Sequence, residues 1–345
     1  MSGASAGAAP TSLTGLAPVL EAGGPALASA LASTERRLEE VTGAHGAELA
    51  RHASATLAAG GKRLRPMLVY LCAGSEPSLA GNGEGTSTPL LHAAAAVELL
   101  HMATLVHDDV LDRATLRRGR STIFSSAGRT GATATGDMLF SRAFAELVRA
   151  GDRDAVRALS SAASALVRGE LMQREDAWSE SVTPARYLER CELKTARLFE
   201  AACRLGALLG EPGREAAAAL GAFGAAVGVA FQMLDDVLDV AGPPERTGKA
   251  RGADLLDGTV TLPLILARRR DPELAALDLR AVGTRPVAVE ALCDRIAASG
   301  ALVQAREQAL SHVARAKAAL EGLGLTNERR RLLDLVADGV VERYA

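Results

Sequence analysis

The chain has few aromatic residues and almost no net charge. Only 3% of its 345 residues are Phe, Trp or Tyr. Strands are rich in aromatic and β-branched residues, so this scarcity, together with abundant alanine, predicts an all-α protein. Lysine and arginine total 39 against 41 acidic residues, a net charge of −2. No overall basic field is therefore available to hold nucleic acid or an anionic membrane surface.

Cysteine is also scarce. The four cysteines show no C-x-x-C spacing, which argues against a disulfide framework or a zinc site. The first ten residues lack the positively charged opening and apolar run of a secretory signal. We therefore expect a cytoplasmic protein with reduced thiols.

Lysine is rare in comparison with arginine. Only four of the 39 basic residues are lysine: Lys62, Lys194, Lys249 and Lys317. A lysine ammonium is a compact point charge that suits a phosphate oxygen. Taken alone, the four lysines indicate either a phosphate site or chance retention at the surface.

Length and patterning predict one large helical bundle. Residues 1–22 are rich in Ala, Gly and Ser and are expected to form a disordered tail. The remainder, 23–345, shows apolar helical segments with no linker between them, which indicates a single domain. Helices are expected at 25–59, 89–112, 131–149, 153–177, 184–209, 213–241, 259–270, 284–298, 300–321 and 327–343.

One of these helices resembles a membrane span by length alone. Ala216–Leu234 contains 19 uncharged residues. We reject a membrane helix because the segment is rich in Ala and Gly and is bounded by Glu215 and Asp235. The Gly224-x-x-x-Gly228 spacing within it favours a buried helix packed closely against its neighbours.

The motif Asp-Asp-x-x-Asp occurs twice, each time at the end of a long apolar helix. The first copy is Asp108-Asp109-x-x-Asp112 and the second is Asp235-Asp236-x-x-Asp239. The first and last aspartates of each copy lie about 40° apart on a helical wheel, so they share one face. Acidic residues there repel one another and oppose the helix dipole, which makes a merely solvated helix end the weaker interpretation. All-oxygen ligands favour Mg²⁺ completed by substrate phosphates.

Other polar residues lie near the clusters. His101 and Thr104 share the helical face of Asp108. Arg117-Arg118 follows the first cluster and Lys249 follows the second. These cations could neutralise phosphate oxygens that a metal does not reach.

Together, the motifs resemble those of the trans-isoprenyl (polyprenyl) diphosphate synthase family over about residues 50–270. They comprise Gly61-Lys62-Arg63-Leu64-Arg65-Pro66, the first aspartate cluster with Arg117-Arg118-Gly119, Lys194-Thr195, Phe231-Gln232 with the second cluster, and Gly248-Lys249 through Thr261-Leu262-Pro263. The resemblance implies an isoprenoid synthase type of all-α bundle around a deep central cavity. It also implies a homodimer and an Mg²⁺-dependent condensation of isopentenyl diphosphate with an allylic diphosphate, with three Mg²⁺ per active site when substrate is bound.

The resemblance also implies a role for each matching residue. The metal ligands would be Asp108, Asp109, Asp112, Asp235, Asp236 and Asp239. The allylic diphosphate would lie against Arg117, Lys194 and Lys249, and isopentenyl diphosphate against Lys62, Arg65, His101 and Arg118. Thr195 and Gln232 would face the allylic cation, and the segment 242–258 is a candidate lid. Where many family members carry a further lysine before Thr-Leu-Pro, this chain has Gly258-Thr259.

In this family the residues four and five places before the first aspartate help to set product length. Here they are Thr104 and Ala103, both small, which leads us to expect a long product of about C30 or more. A geranylgeranyl diphosphate synthase is the alternative. A class I terpene cyclase and a non-catalytic synthase subunit are weaker alternatives, since the second cluster repeats Asp-Asp-x-x-Asp and the cations are intact. No integral membrane helix is expected.

Overall fold

A computed structural model describes residues 16–61, 63–74, 88–117, 119–242, 251–283 and 285–342. It confirms the all-α class. The helices are α1 Ala17–Ala22, α2 Gly24–Gly43, α3 Ala47–Ala58, α4 Leu64–Ala73, α5 Thr88–Leu111, α6 Ile123–Arg149, α7 Arg153–Glu175, α8 Pro184–Cys191, α9 Arg197–Leu209, α10 Gly213–Ala241, α11 Ala253–Leu256, α12 Leu262–Arg270, α13 Pro272–Ala275, α14 Leu279–Gly283, α15 Pro286–Ala298, α16 Ala301–Ala319 and α17 Asn327–Glu342. A π-helical turn, Glu192–Ala196, joins α8 to α9.

The described part of the chain contains one small sheet that the sequence pattern did not predict. Strands β1 (Leu116–Arg117) and β2 (Arg120–Ser121) pair antiparallel, with Leu116 opposite Ser121. Each strand has only two residues, too few to show an alternating pattern. The hairpin follows α5 directly and holds Arg117 beside the first aspartate cluster.

The last residues of the predicted disordered tail form a helix in the structure. Residues 17–22 form α1, which packs against α2 and α17, whereas 1–22 was expected to be a disordered tail. Leu16 and Val19 are buried among apolar side chains, and this burial offsets the entropy lost in ordering a short helix. Residues 1–15 lie outside the described part.

Helices α5 and α10 form the centre of the bundle. Helix α5 packs against α2, α4, α6 and α9, while α10 packs against α9, α16 and the π turn. From Ala93 to Leu100, α5 is buried on every side, which explains why its apolar residues are not confined to one face. Each helix carries an aspartate cluster at its C-terminal end. Two acidic helix ends therefore lie where these core helices leave the centre of the bundle.

Glycines let α10 pack closely, as the Gly224-x-x-x-Gly228 spacing predicted. A Cβ at Gly224 would lie 2.6 Å from the Phe199 carbonyl oxygen, and one at Gly228 would lie 2.7 Å from Cα of Ala196. No side chain fits at either distance. The second contact places α10 directly against the π turn.

Helices α5 and α10 are both long and apolar enough to cross a membrane, with mean hydropathy 1.4 and 1.7. In each, most of the apolar window is buried inside the bundle, 67% and 61% respectively. This burial is typical of core helices. The four cysteines are buried and free.

Candidate active site

The first aspartate cluster lies at the C-terminal end of α5. Asp108 is half-buried, and desolvation raises its pKa to about 6; the charge of Lys194 lowers the pKa, while that of Glu170 raises it. Asp112 is more exposed and accepts a hydrogen bond from Arg174. The two carboxylates therefore face cations on other elements.

The middle residue of this cluster is oriented differently. Asp109 is 6% exposed, and its Oδ1 accepts a hydrogen bond of 2.9 Å from Nε of Arg117. Burial raises the pKa of Asp109, while Arg117 opposes the shift. The contact fixes Arg117 in the hairpin, one of the predicted diphosphate-binding cations. Metal ligation by Asp109 stays a prediction.

Helix α7 contributes three side chains that sequence reasoning missed. Glu170 forms an ion pair with Lys194, 2.5 Å from its Nζ, and accepts a hydrogen bond from Arg174 Nε at 3.0 Å; Gln173 accepts one from Lys194 Nζ at 3.1 Å. Burial would raise the pKa of Glu170, but the charges and hydrogen bonds of Lys194 and Arg174 outweigh it and lower the pKa. In the sequence, Glu170 and Arg174 look like an ordinary surface pair one turn apart. No local signal marks them.

The π turn lies between the two clusters and carries both Lys194 and Thr195. It fits between two helices because each has a glycine at the contact. Gly228 of α10 lies against Ala196, and a Cβ on Gly169 of α7 would lie 2.6 Å from the Lys194 backbone nitrogen. Burial opposes the charged form of Lys194, but Asp108 and Glu170 outweigh it and raise its pKa. Lys194 is therefore a stable cation beside the first cluster.

The second cluster lies near the C-terminal end of α10. Asp236 is 3% exposed and accepts hydrogen bonds from Tyr187 Oη at 2.6 Å and Gln232 Nε2 at 2.8 Å. Burial raises its pKa to about 8, the charge of Asp254 adds to the shift, and these two hydrogen bonds oppose it. Gln232 Oε1 in turn accepts from Thr195 Oγ1 at 2.7 Å. This chain of bonds joins the second cluster to the π turn.

The outer aspartates of this cluster, Asp235 and Asp239, are half-buried. Asp239 accepts a hydrogen bond of 3.2 Å from the backbone nitrogen of Asp254, at the start of α11. The Asp239 carbonyl also accepts from the backbone nitrogen of Gly252. Residues 252–254 are thereby held against the end of α10.

Arg65 lies in α4 with its guanidinium 4.7 Å from the centre of the Phe199 ring. Its Nε is buried and has no hydrogen-bond partner. Burial lowers its pKa to about 10, opposed by the charge of Glu98. A buried donor on a cation is costly without an acceptor, so this side chain is suited to an anionic ligand.

The predicted stripe on α5 is present in part. His101, Thr104 and Asp108 are all half-buried, and the Thr104 hydroxyl donates to the His101 carbonyl at 2.8 Å. Ala103 is fully buried among core residues. Of the two residues predicted to influence product length, Thr104 is the one on the stripe.

Three predicted site residues, Lys62, Arg118 and Lys249, lie outside the described part of the chain. So do residues 243–250 of the candidate lid. At the far end of that segment, Gly258 and Val260 are anchored: the Gly258 carbonyl accepts from the Trp178 backbone nitrogen at 2.8 Å, and the Val260 carbonyl accepts from Arg190 at 2.5 Å.

Among the described residues, no three Asp, Glu, His or Cys side chains converge into a ready-made metal site. The contacts give the reason: Asp109 and Asp236 bond to neighbouring side chains, and Arg174 holds Asp112. The donor set nevertheless suits a hard divalent cation, because it consists of carboxylates. Desolvation is the main cause of the raised pKa of Asp108. A nearby cation would stabilise the charged carboxylate and so lower this pKa.

Comparisons with known proteins agree with this geometry. The family model for polyprenyl synthetases matches residues 47–297. The chain is 36% identical to heptaprenyl diphosphate synthase component 2 of Geobacillus stearothermophilus, over 90% of this chain and 94% of that one. It is 36% identical to a geranylgeranyl diphosphate synthase of Methanosarcina mazei, over 83% and 86% of the two chains.

The fold is also that of solved synthases. A polyprenyl synthase from Caulobacter crescentus, crystallised with calcium and isoprenyl diphosphate, superposes with a TM-score of 0.85 at 33% identity. The alignment covers 98% of this chain and all of that one. A heptaprenyl diphosphate synthase from Staphylococcus aureus superposes with a TM-score of 0.83 at 30% identity, over 92% and 99% of the two chains.

Proposed function

The chain belongs to the polyprenyl synthetase family and is a prenyltransferase, and from that premise we propose that it elongates an allylic diphosphate with isopentenyl diphosphate to a product of about C30 or longer. The allylic C–O bond breaks, and diphosphate leaves with the electron pair. The isopentenyl double bond then forms the new C–C bond, and the released diphosphate takes up the proton that is lost, which gives a product one five-carbon unit longer.

One observation carries the proposal: a single π turn connects the two aspartate clusters. Lys194 is a charged neighbour of Asp108 on one side, and Thr195 bonds through Gln232 to Asp236 on the other. A diphosphate beside Lys194 would therefore lie close to the hydroxyl of Thr195. Leaving-group stabilisation and cation stabilisation would act at neighbouring positions.

The cations divide into two groups. Lys194 and Arg117 adjoin the aspartates, so they would bind the allylic diphosphate as the resemblance implies. Arg65 lies over Phe199 in α9, with a buried unpaired Nε. Arg65 would bind the diphosphate group of isopentenyl diphosphate. Cations around this group would neutralise it without a metal.

We propose Mg²⁺ as the metal, held by Asp108, Asp112 and Asp235, with Asp239 in support. When bound, Mg²⁺ would neutralise the diphosphate and make it a better leaving group. For Asp112 to become a ligand, Arg174 must release it. Arg174 would then be free to contact a diphosphate oxygen.

We base the proposed product length on the small size of Thr104. A small residue on the stripe beside Asp108 leaves room for a growing chain, whereas Ala103 is enclosed by the core. The relatives' names do not decide the length, since one is a heptaprenyl and another a geranylgeranyl diphosphate synthase. Geranylgeranyl diphosphate is therefore the alternative product.

We propose that the chain acts as a cytoplasmic homodimer. The four free cysteines support a reducing compartment. The Geobacillus relative is named a component, which makes a partner subunit the alternative. The intact aspartates and the cations beside them favour activity without one.

The test uses Thr104→Phe, with Thr104→Val as the matched control of similar size to threonine. Wild type and variants are incubated with Mg²⁺, isopentenyl diphosphate and farnesyl diphosphate, and products are identified by mass. We expect long products from wild type and the valine variant, and shorter ones from the phenylalanine variant. Unchanged length in the phenylalanine variant would refute the role of Thr104, and a wild-type product that stops at C20 would establish the alternative.

A further inference from the structure

We propose that Tyr187 and Asp236 are positioning residues that fix the direction of the hydrogen bond between Thr195 and Gln232, so that Thr195 presents only lone pairs to the allylic cation. The inference rests on the proposed function, in which Thr195 faces that cation. It assigns Asp236 a task other than metal ligation, and it adds Tyr187 to the functional residues.

The four side chains form one continuous chain of hydrogen bonds. Tyr187 Oη lies 2.6 Å from Asp236 Oδ2, and Gln232 Nε2 lies 2.8 Å from Asp236 Oδ1. Gln232 Oε1 lies 2.7 Å from Thr195 Oγ1. Tyr187, Asp236 and Thr195 are each less than 8% exposed, so water does not readily replace any of these bonds.

The direction of each bond follows from the chemistry of its groups. Asp236 Oδ1 accepts from Gln232 Nε2, and Oδ2 bonds to the Tyr187 hydroxyl, with which it can share a proton. Oδ1 is therefore an acceptor whether or not the side chain is ionised. The amide of Gln232 must then turn its NH₂ group toward Asp236 and its oxygen toward Thr195. A hydroxyl has one proton, and that of Thr195 is used on Gln232, which leaves only lone pairs for another neighbour.

A hydrogen bond from Gln232 to Thr195, in the opposite direction, would hinder the reaction. If Asp236 were not an acceptor, the Gln232 amide could rotate and offer its NH₂ group to Thr195. The hydroxyl would then accept that bond and could direct its proton toward the substrate. A proton facing a developing carbocation repels it, whereas a lone pair attracts it.

Tyr187 has its own part in this arrangement. Without its hydroxyl, one buried oxygen of Asp236 would have no partner, and the carboxyl group could rotate away from Gln232. The ring is held in place because it is fully buried and the Arg190 guanidinium lies 5.6 Å from its centre. Tyr187 therefore acts through Asp236 and Gln232, without touching the substrate.

The test is a double-mutant cycle with Tyr187→Phe and Thr195→Val. Tyr70→Phe is the matched control, because Tyr70 is equally buried and its hydroxyl bonds to Thr34 at 2.7 Å, far from the aspartates in the bonding network. We expect Tyr187→Phe to lower kcat about tenfold with an unchanged KM for isopentenyl diphosphate. In the Thr195→Val background the same change should cost less than twofold.

Three results would overturn the proposal: an equal loss of kcat in both backgrounds, an unchanged kcat, or the same loss from Tyr70→Phe. Melting temperatures of all variants separate these outcomes from simple unfolding. A second measurement needs no turnover. With labelled tyrosine, of which the chain has three, the Tyr187 NMR signal should shift in Asp236→Asn while that of Tyr70 stays.

The two proposals can fail separately. A wild-type enzyme that forms no prenyl diphosphate refutes the proposed function, whereas the NMR shift still decides whether Tyr187 bonds to Asp236. A normal enzyme whose Tyr187 signal is unchanged in Asp236→Asn refutes the positioning role alone.

Discussion

Replacing Gly169 by alanine should damage the enzyme although glycine has no side chain that could take part in the reaction. The added Cβ would lie 2.6 Å from the Lys194 nitrogen, 2.9 Å from its Cα and 3.0 Å from the Leu193 carbonyl carbon. All three are backbone atoms, so no side-chain rotation can relieve the contact. Helix α7 or the π turn must move by several tenths of an ångström.

Two opposing effects determine how much stability the Gly169→Ala variant loses. Alanine favours a helix over glycine by about 1 kcal/mol, while overpacking costs about 1–3 kcal/mol. We therefore expect stability to change little or to fall by up to about 2 kcal/mol. Because displacements near 1 Å at a reacting group can cost about 100-fold, we expect kcat to fall by about 10- to 100-fold.

The assay compares Gly169→Ala with Gly43→Ala. Gly43 ends α2, and a Cβ there meets nothing within 4 Å. Steady-state kinetics and thermal melting are measured for both variants. The control should keep wild-type kcat. A Gly169→Ala enzyme with full kcat would refute the reasoning that close packing against the π turn positions Lys194 and Thr195.

Two further predictions follow from individual side chains. Lys194→Gln keeps a hydrogen-bonding group but loses the cation beside Asp108, so kcat/KM for the allylic diphosphate should fall by about 10- to 100-fold; an unchanged value would exclude Lys194 from diphosphate binding. Glu146 accepts hydrogen bonds from Arg37 and His92; burial would raise its pKa, but these bonds outweigh it and lower the pKa below the ordinary 4.5. Its stabilising effect is complete above pH 4.5 and disappears as the pH falls through the folded-state pKa, so Glu146→Gln should be less stable than wild type at pH 7 and more nearly equal to it at acid pH in denaturant titrations. A difference that grows on acidification would contradict this.

The sequence identified the parts of this molecule that depend on local pattern. Helix α5 was expected at 89–112 and runs from Thr88 to Leu111, because Pro89 and an unbroken apolar run mark it. The aspartate clusters, Lys194, Thr195 and Gln232 were predicted as site residues because their order and spacing are specific, and the structure joins Thr195, Gln232 and Asp236 by hydrogen bonds. The expected helix at 184–209 contains the π turn instead of regular α-helix throughout, a change that depends on packing against α7 and α10.

The other residues near the site are brought together by tertiary contacts, which the sequence pattern does not show. Glu170 and Gln173 are polar residues on an amphipathic helix, and only the packing of α7 on the π turn shows that they bond to Lys194. Tyr187 is a single tyrosine in a short helix, and its bond to Asp236 spans 49 positions. No periodicity or motif spacing could have linked these residues.

The most direct test of the proposed prenyltransferase activity is turnover by the purified chain alone, with no second subunit. Wild type, Asp108→Asn and Asp235→Asn are each incubated with Mg²⁺, isopentenyl diphosphate and, separately, dimethylallyl, farnesyl and geranylgeranyl diphosphate, and products are identified by mass. We expect polyprenyl diphosphates that grow by five-carbon units with wild type, and at most traces with either folded variant. No elongation by wild type from any primer, or a cyclic hydrocarbon product, would contradict this expectation.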